Sequence, residues 1–183
     1  MKSTIVITVL FGLSLTPSLA GKNVDRNKQI STGENSHQTL SINKEKSTAC
    51  IDMNDGRDSW NIIWNYNTGY MATRIFAQKV CFISKMNKNV MPDIVAISKM
   101  TEKKKRAKGQ RHPSKDLVYV VSKKRVRDLK SYGEDIFALC KGLPTYIAHE
   151  VRGSQFWYNQ GSCFQLNILF VLGIRYCDNT GSS

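Results

Sequence analysis

Five cysteines in a chain marked for export constrain this protein more than any other feature. Met1-Lys2 is a short basic start, residues 5–15 (IVITVLFGLSL) are uncharged and apolar, and Ser18-Leu19-Ala20 offers the small residues that a signal peptidase reads. The combination predicts a signal peptide over residues 1–20. The apolar run is too short for an anchor, which needs roughly 20 apolar residues, and residues 166–174 form a still shorter one. No membrane span is expected. Secretion makes disulfides the default for Cys50, Cys81, Cys140, Cys163 and Cys177, and the odd count leaves one for a free thiol or an intermolecular bond. No pair is spaced C-x-x-C and no histidine stands at zinc spacing from a cysteine, so structural zinc is not expected. No other cofactor is implied, and no N-x-S/T sequon is present.

About 163 residues remain after cleavage, enough for one domain with tails and a proper core. Residues 21–36 are polar, charged and rich in asparagine, which predicts a flexible leader. Leu40 and Ile42, then Ala49, Ile51 and Met53, flank the polar tip Asn43-Lys44-Glu45-Lys46, and suggest a hairpin within residues 39–53. The strongest β signal follows. Trp60, Ile62, Trp64 and Tyr66 alternate, Asn67-Thr68-Gly69 turns, residues 70–76 return, and residues 79–86 carry Cys81 on a third strand. That is an antiparallel meander.

Pro92 suits a first helical turn, with Ile94, Ile97 and Met100 or Thr101 following at helical spacing. Residues 117–121 (LVYVV) predict a strand. Val126, Leu129, Tyr132, Ile136, Leu139 and Cys140 make one apolar stripe, which predicts a second helix over 126–141, ended by Gly142 and Pro144. Residues 145–151 suit a further strand, and 163–177 enclose an apolar β-prone run. The expected class is α+β, with two helices that each need a sheet face to cover.

Several blocks resemble a BRICHOS domain, and more closely the gastrokine family. They are Asp58-Ser59-Trp60-Asn61-Ile62-Ile63-Trp64-Asn65-Tyr66, Gly69-Tyr70-Met71-Ala72-Thr73-Arg74, Cys81 with Lys85-Met86-Asn87-Lys88, Val90-Met91-Pro92, and residues 139–146 (LCKGLPTY). The resemblance implies an antiparallel β-sheet sandwiched between two α-helices. It divides the chain into signal peptide (1–20), leader and hairpin (21–53), BRICHOS domain (54–151) and a C-terminal β-prone segment with a disulfide clasp (152–183). It also implies a Cys81–Cys140 bridge, with Cys163–Cys177 as the natural second pair and Cys50 left over. BRICHOS domains usually carry an aspartate where this chain has Asn65; asparagine cannot ionise, although a hydrogen-bonding role can survive.

The resemblance implies a secreted, non-enzymatic protein of the gastric mucosa. Its role would be to maintain the epithelium, tune epithelial proliferation, and bind β-prone peptides or partner chains. The residues themselves show no nucleophile–base–acid set and no phosphate-binding loop, and His149-Glu150 is not H-E-x-x-H, so His149 is expected to be structural. Residues 166–174, uncharged and proline-free, are an aggregation hazard if exposed and a core or edge strand if buried. The net charge of +13 favours acidic extracellular partners over nucleic acid, given export. Residues 99–115 hold eight Lys or Arg. Lys103, Lys104, Lys105, Arg106, Lys108 and Arg111 form either a solvated run or a patch for sulfated glycan, mucin or anionic membrane. Cys50 is either a free buried thiol or the link in a disulfide-bonded dimer; the resemblance to gastrokines adds a covalent pair with a trefoil-type secreted peptide.

Overall fold

The structure, a computed structural model, describes residues 25–31, 37–106, 113, 115–152 and 163–178. The expected signal peptide, Lys108 and Arg111 lie outside the described residues. The ten strands are β1 (Asp25–Ser31), β2 (His37–Asn43), β3 (Thr48–Asn54), β4 (Trp60–Asn65), β5 (Tyr70–Ile75), β6 (Val80–Lys85), β7 (Asp116–Arg125), β8 (Thr145–Val151), β9 (Cys163–Ile168) and β10 (Leu172–Asp178). Two helices join them, α1 (Ala96–Arg106) and α2 (Glu134–Cys140). The class is α+β, as the patterning predicts.

The strands form one sheet in the order β1-β2-β3-β4-β5-β6-β8-β7-β10-β9. The hairpin and meander emerge as expected, and their register follows because alternating side chains must all point to one face once Trp60, Ile62 and Trp64 are buried. The sheet is mixed rather than wholly antiparallel. β6 pairs parallel with β8, and β7 parallel with β10. Neither pair is consecutive in the chain: β7 intervenes between β6 and β8, and β8 and β9 between β7 and β10, so long connections and not short turns bring the parallel partners together. Part of the expected leader is also a strand: β1 pairs antiparallel with β2.

The sheet is curled. Leu40, Ile42 and Ile51, near one end of the strand order, share a buried cluster with Leu166, Ile168 and Ile174 at the other. Gln38 closes the curl. Its side-chain amide donates to the Asn167 carbonyl at 2.7 Å, and its side-chain oxygen accepts from the Leu169 amide at 2.8 Å. Across the concavity, the hydroxyls of Thr73 on β5 and Tyr176 on β10 lie 2.9 Å apart. Ile97 of α1 belongs to this concave cluster, and Met100 packs against it. A second cluster unites Ala72, Cys81 and Ile83 of the sheet with Ile136 and Cys140 of α2.

Both helices differ from their expected limits for local reasons. α1 begins after Pro92 because Asp93 caps it, its carboxylate accepting from the amides of Val95 and Ala96 at 2.9 and 2.6 Å. The second helix is only seven residues long. Residues 126–129 are not helical, and Lys130–Tyr132 is a single 3-10 turn. The break is Gly133, whose φ of 113° leaves the helical region. A Cβ there would lie 3.3 Å from the Asn65 side-chain amide nitrogen. Leu129 and Tyr132 still pack on the α2 cluster, so the apolar stripe is real although half of it is not helical.

Candidate functional site: a clasped hairpin and a basic cleft

Cys81 on β6 and Cys140 at the end of α2 are bonded, with Cα atoms 5.6 Å apart. Both are fully buried. The bridge fixes α2 on the central strands, beside the cross-strand row Ile63–Ala72–Ile83–Ile147. Cys163 and Cys177 are bonded across the directly opposed ends of β9 and β10. The β-prone run they enclose is a hairpin, turning at Leu169 and Phe170, which both adopt positive φ. Leu166, Ile168, Leu172, Ile174 and Tyr176 are all at most 2 % exposed. The run therefore serves as core, and its apolar face is withheld from other chains.

Cys50 is free and half-buried on β3, opposite Ile63. Burial, reinforced by the negative charges of Asp52 and Asp135, pushes its thiol up to about 11. Asp52 is itself raised by burial, against the hydrogen bond it accepts from Asn61. Because the folded value lies above that of an ordinary thiol, the stability contributed by the neutral thiol is complete below the ordinary value and lost as pH rises through about 11. At neutral pH the native thiolate fraction is on the order of a hundredfold below that of a free cysteine. Iodoacetamide should therefore label native Cys50 at least tenfold more slowly than it labels the urea-unfolded chain, a difference mass spectrometry of timed aliquots will measure. Equal rates would show that the thiol is open.

Asn65 is buried and makes the turn after β4. Its side-chain oxygen accepts from the Thr68 amide at 3.0 Å, and its carbonyl accepts from the Gly69 amide at 2.9 Å. The hydrogen-bonding role anticipated for this position is thus present without a carboxyl group. Of the basic run, Lys103 to Arg106 form the last turn of α1, and Lys103 is exposed.

A cleft of about 1280 Å³ was not visible as a unit in the sequence. Its floor includes Ile83 of β6 and Ile147 of β8, and Tyr70 and Tyr132 flank it with their rings edge to face, 5.0 Å between centroids. Lys85, Lys88, Lys124, Arg125 and Arg127 line it and are all exposed. His149 also lines it and is exposed. Glu150 is already engaged, accepting from Asn87 at 2.7 Å and from Arg152 at 3.0 Å. Three residues of β7, Ser122, Lys123 and Lys124, fall between the pairs Val121↔Ala148 and Arg125↔Tyr146, so β7 bulges where these cations emerge. Only the run of five cations within residues 123–130 hinted at this cleft in the sequence; Lys85 and Lys88 join it through the β6–β8 and β8–β7 pairings. Among the described residues, no group of three or more His, Cys, Asp or Glu is placed to hold a metal, and no helix is long and apolar enough to cross a membrane.

The family model described as the BRICHOS domain matches residues 56–147. Gastrokine-1 of Homo sapiens is 39% identical over 182 residues, covering 98% of each chain. Gastrokine-1 of Sus scrofa is 40% identical over 179 residues, covering 97% of each. Gastrokine-3 of Homo sapiens is 29% identical over 182 residues, again covering 98% of each. No solved structure matches the chain.

Proposed function

Because the chain belongs to the gastrokine family and carries a BRICHOS domain, we propose that it is a secreted, non-enzymatic protein of the gastric mucosa whose sheet binds β-prone or partner polypeptides. By kinship, that binding serves to maintain the gastric epithelium and to tune epithelial proliferation. One observation carries the molecular part. The chain's own β-prone hairpin, β9–β10, is paired with β7 and turns its apolar side chains into the concave cluster, where Tyr176 meets the Thr73 hydroxyl and the Phe82 ring. A surface that takes up an apolar hairpin in cis is suited to take up one in trans, through strand pairing and side-chain burial. The allocation of Ile97 to the concave cluster and of Ile136 to the other supports a central sheet covered by α1 on one face and α2 on the other.

The full secreted chain, mixed with an apolar fibril-forming peptide, will delay the rise of thioflavin fluorescence. The delay will survive neutralisation of Lys103, Lys104, Lys105 and Arg106, since packing and not charge underlies it. Failure to slow any β-prone peptide sinks the polypeptide-binding reading. The half-buried, protonated Cys50 speaks against a covalent partner as the principal mode.

A further inference from the structure

We infer that the basic cleft over β6, β8 and β7 is a binding site for a sulfated glycan, distinct from the concavity that the hairpin lines. Lys85 and Lys88 enter from the end of β6, and Lys124, Arg125 and Arg127 from the bulged end of β7. Among the described residues, none of these five forms an ion pair. Of the two acids in the lining, Glu150 is held by Arg152 and Asn87, and Asp128 accepts from the Lys130 amide at 3.1 Å. Five cations against the single unbridged carboxylate of Asp128 leave the opening net positive, and the net charge of +13 steers anions toward the protein.

The floor decides between a glycan and an acidic peptide. β6, β8 and β7 are interior strands, each paired on both sides, so the cleft offers no strand edge. An extended peptide laid there would find few partners for its backbone amides, and leaving them unpaired is costly. A sulfated sugar has no such backbone. It needs spaced cations for its sulfates and flat, half-exposed surfaces for its rings, which Lys85 to Arg127 and the Tyr70–Tyr132 pair supply.

The test is calorimetric titration of the full chain with a heparin oligosaccharide at several salt concentrations. Three variants are compared: K124A/R125A/R127A, K85A/K88A, and the helix variant K103A/K104A/K105A. All positions in the two cleft variants are exposed, and circular dichroism will verify folding. Each cleft variant should weaken binding about tenfold or more and flatten its salt dependence, while the helix variant changes it less than about twofold. Equal losses in cleft and helix variants would mean diffuse attraction to net charge and would overturn the site. So would loss confined to the helix variant, or no binding at all. A poly-glutamate peptide that competes as well as heparin would give the cleft to acidic peptides instead. The delay of fibril growth is expected to be unchanged in the cleft variants, so failure here leaves the polypeptide-binding reading standing.

Discussion

Replacing Cys81 and Cys140 together by alanine should lower the free energy of unfolding by about 4 kcal/mol. The bridge spans 59 residues of sequence. In the chain-entropy model, a loop of that length removes this much freedom from the unfolded state. Both side chains are fully buried between β6 and α2, so alanine adds a small cavity cost without stranding a hydroxyl. A domain of this size is stable by only about 5–15 kcal/mol. Urea unfolding will report the loss as a lower midpoint, and the slope will rise as the unfolded chain expands. The seven residues of α2 are too few to hold a helix alone, so amide exchange should spread first through α2. A loss below about 1 kcal/mol would deny the bridge its role as the staple of the domain. The Cys163–Cys177 bridge closes only 14 residues already joined by a hairpin, and its removal should cost less.

The parts of this fold that were legible in the sequence are those fixed by neighbours in the chain. The β2–β6 region alternates because each strand there has a buried face, and its turns are short enough to set the register. The stop of α2 was legible at Gly142, which adopts a φ of 81°. Its start was not, because an apolar stripe runs through Gly133 undisturbed while the backbone there turns beneath Asn65. The two parallel pairings were illegible for a different reason. Parallel neighbours meet through long connections, and nothing local to β8 or β10 encodes the partner. The basic cleft depends on those pairings, so Lys85 and Lys88 looked unrelated to Lys124 and Arg127. Both disulfides were anticipated through resemblance alone, since five cysteines leave many pairings open.

Gln38 is the clearest case of a residue whose importance only the fold reveals, and Gln38→Met should cost about 2–6 kcal/mol. In the sequence it is one more polar residue beside the leader. In the structure it is 3 % exposed, its amide satisfying the Asn167 carbonyl and its oxygen the Leu169 amide. Methionine has similar bulk but neither donor nor acceptor, so two groups at the β9–β10 turn lose their buried partner, each at about 1–3 kcal/mol. The loss falls where the curl closes, because Leu169 holds a positive φ with no glycine to ease it. Hydrogen exchange gives the specific readout. The Leu169 amide should lose protection far more than amides of β4 and β5, while the Cys163–Cys177 bridge stays oxidised. Since the hairpin walls the concavity, loosening it should open the concave face, and the same variant should delay fibril growth of an added β-prone peptide more strongly than the native chain. Looser hairpin amides with an unchanged delay would mean that clients do not use the concave face.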